Sequence, residues 1–279
     1  MKKKKCNKIL VHLLIILLGI IMIYPLIWMF LATFKTNAEI FGSLKLLPAT
    51  FSFDAFVNGW KGTGKYTFGK NMVNTFLIVI PTTLLTVISC SIVAYGFARF
   101  KFPGKKVFFV ILIATLMLPN TVIIIPRYTL FNKFGWLNTY LPFYIPALLA
   151  CYPFFIYMLI QFMRGIPKEL DESAYIDGCS TSKTYYEILL PLLKPALFSA
   201  GLFQFLWTYN DFFNSLIYIN SVEKYPVSLA LRTAIDVDAN VQWAEIMAMS
   251  VITVLPLVVL FFVAQKYFVE GIATTGLKG

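Results

Sequence analysis

Residues 167–195 read PKELDESAYIDGCSTSKTYYEILLPLLKP. This stretch is the long polar, charged segment between very apolar runs in the second half of the chain. It holds five of the 13 acidic residues: Glu169, Asp171, Glu172, Asp177 and Glu187. Its residue types predict two short helices joined at Gly178. Pro167 suits a first helical position, where a missing N–H costs nothing. Glu169, Asp171 and Glu172 then fall in the first turns, where the positive end of the helix dipole favours them. Gly178 lies where a left-handed residue would end the helix. Glu169, Glu172, Ser173 and Ile176 follow i, i+3, i+4, i+7 and share one face. Ser180 or Thr181 can cap a second short helix, and Thr184 to Glu187 matches a capping box. Pro191 and Pro195 are expected to end the element and turn the chain back.

The rest of the chain explains why such a segment matters. Of 279 residues, 59% are hydrophobic and only 13% charged, and the mean hydropathy is +0.76. A soluble domain would carry roughly 25% charged residues. The composition predicts an all-α, polytopic membrane helix bundle. A membrane protein that exposes an acidic segment offers it to something outside the bilayer, so 167–195 reads as a docking element for a soluble partner. The net charge of +11 does not point to nucleic acid. The lysines lie at the ends of apolar runs, as the positive-inside rule requires, and no basic helix or RNA motif accompanies them. Cys6, Cys90, Cys151 and Cys179 are scattered without CxxC or Cys/His spacing, which supports neither a metal site nor a disulfide framework.

In chain order, six apolar runs are long enough to span, at about 20 residues per crossing. They cover roughly 9–33, 72–98, 107–128, 140–163, 196–219 and 244–267. The first is too long for the apolar core of a signal peptide and is expected to stay as an uncleaved helix. The third is expected to break at Pro119 and Pro126. The chain then divides into a first transmembrane helix with an extracytoplasmic excursion (1–70), a transmembrane core (71–268) and a polar tail (269–279). The N-terminus, the 99–106 turn, the 167–195 loop with its edges, and the tail together with Lys266 just before it carry 15 of the 24 Lys and Arg. That bias puts both termini and the loop in the cytoplasm of a cell whose plasma membrane the chain crosses several times.

The residues of the loop carry a family resemblance. Glu172-Ser173-Ala174, then Gly178, then Ile188, Leu190 and Pro191, resembles the E-A-A, G, I-x-L-P "EAA" loop of permease subunits of bacterial ABC importers. Asp177-Gly178, and the ending Leu190-Pro191-Leu192 with Pro195, are similar to the carbohydrate branch, the maltose-type inner-membrane subunits. Ser173 and Cys179 depart from the pattern, each a small residue where the family has alanine. Tyr95-Gly-Phe-Ala-Arg99-Phe-Lys-Phe-Pro-Gly104 resembles the family's YAFARFRFPG segment. So do Leu118-Pro119-Asn120 with Pro126, Gly135 to Tyr140, Trp207 with Asn210-Asp211-Phe212, and the glycine-containing tail.

The resemblance implies an ABC type I importer fold and a non-catalytic permease for a carbohydrate. The loop would be a coupling helix seated in a cleft of a separate ATPase. Glu172 and Asp177 would meet basic or hydrogen-bonding groups there, and Leu170, Ala174 and Tyr185 would pack into the cleft. The implied partners are a second, homologous permease subunit, two copies of the ATPase and an extracytoplasmic solute-binding protein, all working at a lipid bilayer. No cofactor would sit on this chain, since ATP and Mg would be bound by the ATPase.

Gly59-Trp-Lys-Gly-Thr-Gly64-Lys65 nearly matches a P-loop, but Tyr66 replaces the Ser/Thr that would hold Mg²⁺ and no apolar strand precedes it. It reads as a loop. Asp211 is an intramembrane carboxylate, costly and by default functional. It stands about 24 Å along the helix from Pro195 at 1.5 Å per residue, near the outer end of its span. Two roles stay open for it: lining the solute path or outer gate, or capping a helix break. Asn120, beside Pro119, either faces a polar cavity or bonds within the bundle; Asn210 completes the candidate path. Prolines 81, 119, 126, 142, 146, 153 and 256 are expected to interrupt the spans. Thr86, Ser89, Cys90, Ser91 and Ala94 suit close helix packing. An ATP-independent secondary transporter or channel would need ion-coupling groups near the midplane and leaves the acidic loop unexplained. An intramembrane enzyme would need paired carboxylates or a Ser/His pair, for which the single His12 and Asp211 are poor material.

Overall fold

The computed structural model describes residues 2–62, 66–236 and 241–276, and no strand occurs among them. Four helices are long and apolar enough to cross a membrane, and six crossings result if each of two bent helix pairs is one span. The chain forms two compact units, Met1–Lys70 with Ala230–Pro256, and Asn71–Leu229 with Leu257–Gly279.

The first unit opens with α1 (Lys2–Ala32), whose stretch Leu10–Ala32 is largely apolar apart from His12 and exposes most of its side chains, with Ala32 at its end buried. Helices α2 (Asn37–Gly42) and α3 (Asp54–Lys61) follow. Thr36 caps α2 reciprocally with Glu39: the Thr36 hydroxyl accepts from the Glu39 N–H, and the Glu39 carboxylate accepts from the Thr36 N–H at 2.9 Å. Phe34 gathers Phe30, Phe51, Phe53 and Phe56 around it, with ring centroids 5.4 to 6.0 Å apart. At Gly59 the backbone comes so close to Met249 that a Cβ would stand 3.0 Å from its side chain. The P-loop-like stretch ends α3, and its residues 63–65 lie outside the described residues.

The second unit contains α4 (Phe68–Arg99), α5 (Lys105–Met117), α6 (Asn120–Lys133), α7 (Leu141–Leu148) and α8 (Pro153–Arg164). Next come α9 (Glu169–Ile176), α10 (Thr181–Lys183), a π-helical turn (Thr184–Leu189) and α11 (Leu190–Leu192). The chain continues with α12 (Lys194–Tyr209) and α13 (Phe212–Tyr218); α14 (Val227–Asp236) and α15 (Trp243–Gly276) each have residues in both units. Lipid tails give helices no hydrophobic reason to associate, so packing here depends on close approach and hydrogen bonds. The buried positions fit that rule. Thr86, Cys90, Ser91 and Ala94 form the inner stripe of α4, and Ser89 Oγ donates to the Ala147 carbonyl across helices. Phe155, Leu159, Ile160 and Met163 of α8 fill the same core, with Leu189, Leu193 and Ala200. A second core joins Ile78, Phe131, Phe143 and Tyr218. Beside it Asn138, at φ 58°, accepts from the Ser221 N–H at 2.9 Å and receives Lys224 Nζ on its own carbonyl.

Several sequence expectations are corrected here. The third apolar run breaks only once: α5 and α6 meet at 104° across Leu118 and Pro119. Pro126 lies inside α6, as Pro81 and Pro256 lie inside α4 and α15, without ending the helix. The fifth run is not one helix from 196 to 219. It starts earlier, bends by 76° between Leu192 and Lys194, and stops at Tyr209 before a break at Asn210–Asp211. The polar tail is helical as far as Gly276, and residues 277–279 lie outside the described residues.

Candidate functional site

The 167–195 segment folds as two helical pieces joined at Gly178, whose φ is +75°. An L-residue there would pay the left-handed penalty of about 1–2 kcal/mol. The piece before it is α9, with Glu169, Asp171 and Glu172 in its first turn. The piece after it is capped by Ser180, whose side chain accepts from the Lys183 N–H. Three local expectations fail. Pro167 lies one residue before the Lys168 cap instead of at the first helical position. The Thr184 hydroxyl donates back to the Ser180 carbonyl at 3.1 Å instead of capping toward Glu187, because the chain is already helical there. Pro191 and Pro195 sit in the first turns of α11 and α12, where they begin helices instead of ending one.

The segment has two sides. Glu169, Glu172, Ser173 and Ile176, which share one face, are exposed, and so are Asp177 and Gly178. Leu170 and Pro191 are also exposed, and Ile188 and Leu190 are half-buried. Ala174 and Tyr185, which the resemblance sends into the ATPase cleft, are instead buried in this chain, 3% and 5% exposed. Tyr185 stacks near Tyr95 with centroids 5.0 Å apart, and its hydroxyl is 2.7 Å from Ser91 Oγ. The most exposed apolar groups of the segment are Tyr175 and Ile176, each more than 80% exposed. Tyr175 was missed in the sequence, although two neighbouring large apolar residues on a charged helix are a readable signal.

Asp171 turns inward. Its Oδ2 lies 3.0 Å from Arg99 Nε, an ion pair by distance whose N–H is not aligned for a hydrogen bond. Arg99 Nη2 also donates to the Ile166 carbonyl at 3.1 Å. A cavity of about 270 Å³ lies beside the pair, lined also by Tyr95, Phe100, Lys168 and Glu172.

The candidate solute-path residues fall in two places. Asn120 and Asp211 are brought together through Arg127, which sequence reasoning overlooked. Arg127 donates from Nη2 to Asn214 Oδ1 at 2.8 Å and Asn120 Oδ1 at 3.2 Å, and from Nε to the Tyr218 hydroxyl at 2.8 Å. Asn214 in turn donates to both Asp211 oxygens, from its backbone and its side chain. Asp211 thereby caps α13 at the helix break, the structural one of its two open roles. Asn210 stands apart, donating to the Leu206 carbonyl as the end of α12.

A segment of this design, set between membrane helices and facing outward with an acidic helix, invites comparison with known transporters. The model of the family described as binding-protein-dependent transport system inner membrane component matches residues 87–274. The chain belongs to this family. It is therefore the membrane permease component of an ABC importer, a non-catalytic, multi-pass protein of the cytoplasmic membrane. Such a component works with a partner permease, an ATPase and a binding protein. The permease is 33% identical to the probable ABC transporter permease protein YurM of Bacillus subtilis, over 92% of this chain and 84% of that one. It is 31% identical to the trehalose/maltose transport system permease protein MalG of Thermococcus litoralis, over the full length of both. Its fold is similar to a chain in the crystal structure of a bacterial ABC transporter involved in the import of the acidic polysaccharide alginate. The TM-score is 0.84 at 21% identity, covering 96% of this chain and 98% of that one.

Proposed function

We propose that this permease translocates a carbohydrate, and that a separate ATPase drives it through the 167–195 loop. The solute class is supported by relatives named for trehalose/maltose and for arabinooligosaccharides. The docking role is supported by one observation above others: α9 exposes Glu172, Tyr175, Ile176 and Asp177 on a helix otherwise tied into the chain. In this reading both termini and the loop are cytoplasmic. Two identical ATPase copies bind ATP and Mg, a second homologous permease completes the pathway, and a solute-binding protein delivers sugar from outside. The chain works as a first helix with its excursion (1–70), a core (71–268) and a tail (269–279). Closure of the ATPases on ATP draws the two docking loops together, and the bundle passes between inward- and outward-open states as rigid elements. Asn120, Asn210 and Asp211 border the solute path near the helix break.

The experiment is uptake of radiolabelled trehalose, maltose and arabino-oligosaccharides into proteoliposomes, with and without the ATPase and ATP. Uptake that needs both is expected. Uptake by this chain without any ATPase overturns the reading.

A further inference from the structure

The loop is joined covalently to α8 and α12, yet side chains of α4 grip it. Ser91, Tyr95 and Arg99, spaced by four and so on one stripe of α4, each reach into it. Ser91 Oγ meets the Tyr185 hydroxyl at 2.7 Å, the Tyr95 hydroxyl donates to the Thr181 carbonyl at 3.2 Å, and Arg99 meets Asp171 at 3.0 Å. The last contact differs in kind. It borders the cavity of about 270 Å³, so this end of α9 lacks close packing against α4. The Arg99 side chain is 6% exposed, and Asp171 Oδ1 is buried without a hydrogen-bond partner among the described residues. A partly buried, incompletely bonded ion pair, here with the Asp171 side chain 23% exposed, adds little stability, because desolvation offsets much of its attraction. Removing one partner, however, strands a charge. Such a pair is suited to fixing a position.

We infer that Arg99 is a positioning residue for energy coupling. Through Asp171 it makes α9 and α4 move as one body, so displacement received at the loop enters the bundle along α4. The inference rests on the reading of 167–195 as the ATPase docking element.

The test uses the assembled transporter with its ATPase, in wild type, Arg99→Gln, Asp171→Asn and the swap Arg99→Asp with Asp171→Arg. Spin labels at Gly96 on α4, where a side chain meets open space, and at the exposed Glu169 on α9 report the separation of the two helices. One narrow distance is expected in wild type, the same in nucleotide-free and ATP-bound forms. In each single variant it broadens or shifts with ATP, and the swap narrows it again. Uptake of radiolabelled maltose or trehalose per ATP hydrolysed falls about tenfold in the single variants, a typical coupling loss, while the ATPase stays bound. A wild-type distance in both single variants overturns the inference. So does a separation that changes with ATP in wild type, or loss of the ATPase that the swap does not repair. The docking reading is checked apart, by an Ile176→Cys crosslink to the ATPase. No crosslink removes the docking reading, whereas a crosslink beside an unmoved distance in Arg99→Gln removes only the role of Arg99.

Discussion

Arg127 and Asn214, 87 residues apart, meet at 2.8 Å, so a guanidinium in an apolar helix is answered by amides and a phenol before any carboxylate. Asp211 reaches it only through Asn214. Arg127→Met keeps the apolar stem and removes every donor, leaving Asn120, Asn214 and Tyr218 with unmatched groups. A loss of about 1–3 kcal/mol is expected, since membrane hydrogen bonds are individually modest. It is read as a lowered thermal unfolding midpoint in detergent. Arg127→Lys should fall between the two, because an ammonium cannot reproduce the planar fork. An unmoved midpoint in Arg127→Met would show the cluster to be idle.

The cap formed by Asp211 and a role for its charge in the solute path predict different outcomes. As a cap it accepts from the Asn214 N–H at 3.1 Å, a task that asparagine performs as well. Asp211→Asn should then transport like wild type, whereas Asp211→Ala loses about 1 kcal/mol of stability. A stable Asp211→Asn protein that no longer takes up sugar would assign the charge itself to the solute path.

At Gly178 a Cβ would meet nothing within 4 Å, so any cost of substitution is conformational. Gly178→Asn should be nearly silent and Gly178→Ala should cost about 1–2 kcal/mol locally. Gly178→Pro cannot adopt φ +75° and should abolish uptake while the protein still inserts. Glu172→Lys, on the exposed face, should weaken ATPase binding without changing the folding of the isolated permease. Normal uptake in both Gly178→Pro and Glu172→Lys would remove the docking role from this loop.

Glu39 supplies a pH dependence. Hydrogen bonds from the Thr36 N–H, and then from the Ala49 N–H, hold its carboxyl below its ordinary range. A depressed acid stabilises the fold above its unfolded pKa and loses that contribution as pH falls through the folded value. The protection of the Thr36 and Ala49 amides, corrected for their intrinsic exchange, should therefore fall on acidification below the ordinary carboxylate range. Glu39→Gln should flatten the profile; a wild-type profile in that variant would place the titration elsewhere.

How much could be read in advance follows from what kind of signal each feature leaves. Apolar runs gave the helices, and Gly178 with Ser180 gave the joint and cap of the loop, because these depend on local backbone chemistry. The inward turn of Tyr185 and Ala174 did not show, since burial there depends on α4, some 90 residues away. The prolines misled for a physical reason: inside a bundle a neighbour can satisfy the freed carbonyl, as the Tyr144 hydroxyl does for Leu77 below Pro81, so the helix passes through unbroken. Arg127 was legible and overlooked, a cation amid IIIPRYTL. The π-helical turn at Thr184–Leu189 has no sequence mark we can name.

The bare outer surface of α1 has a practical meaning. With apolar side chains exposed on every side, this helix recruits a collar of detergent wherever the subunit is purified by itself. Producing the polypeptide together with its companions is the sensible route to a homogeneous sample, and solo preparations should run as broad, oversized particles on gel filtration.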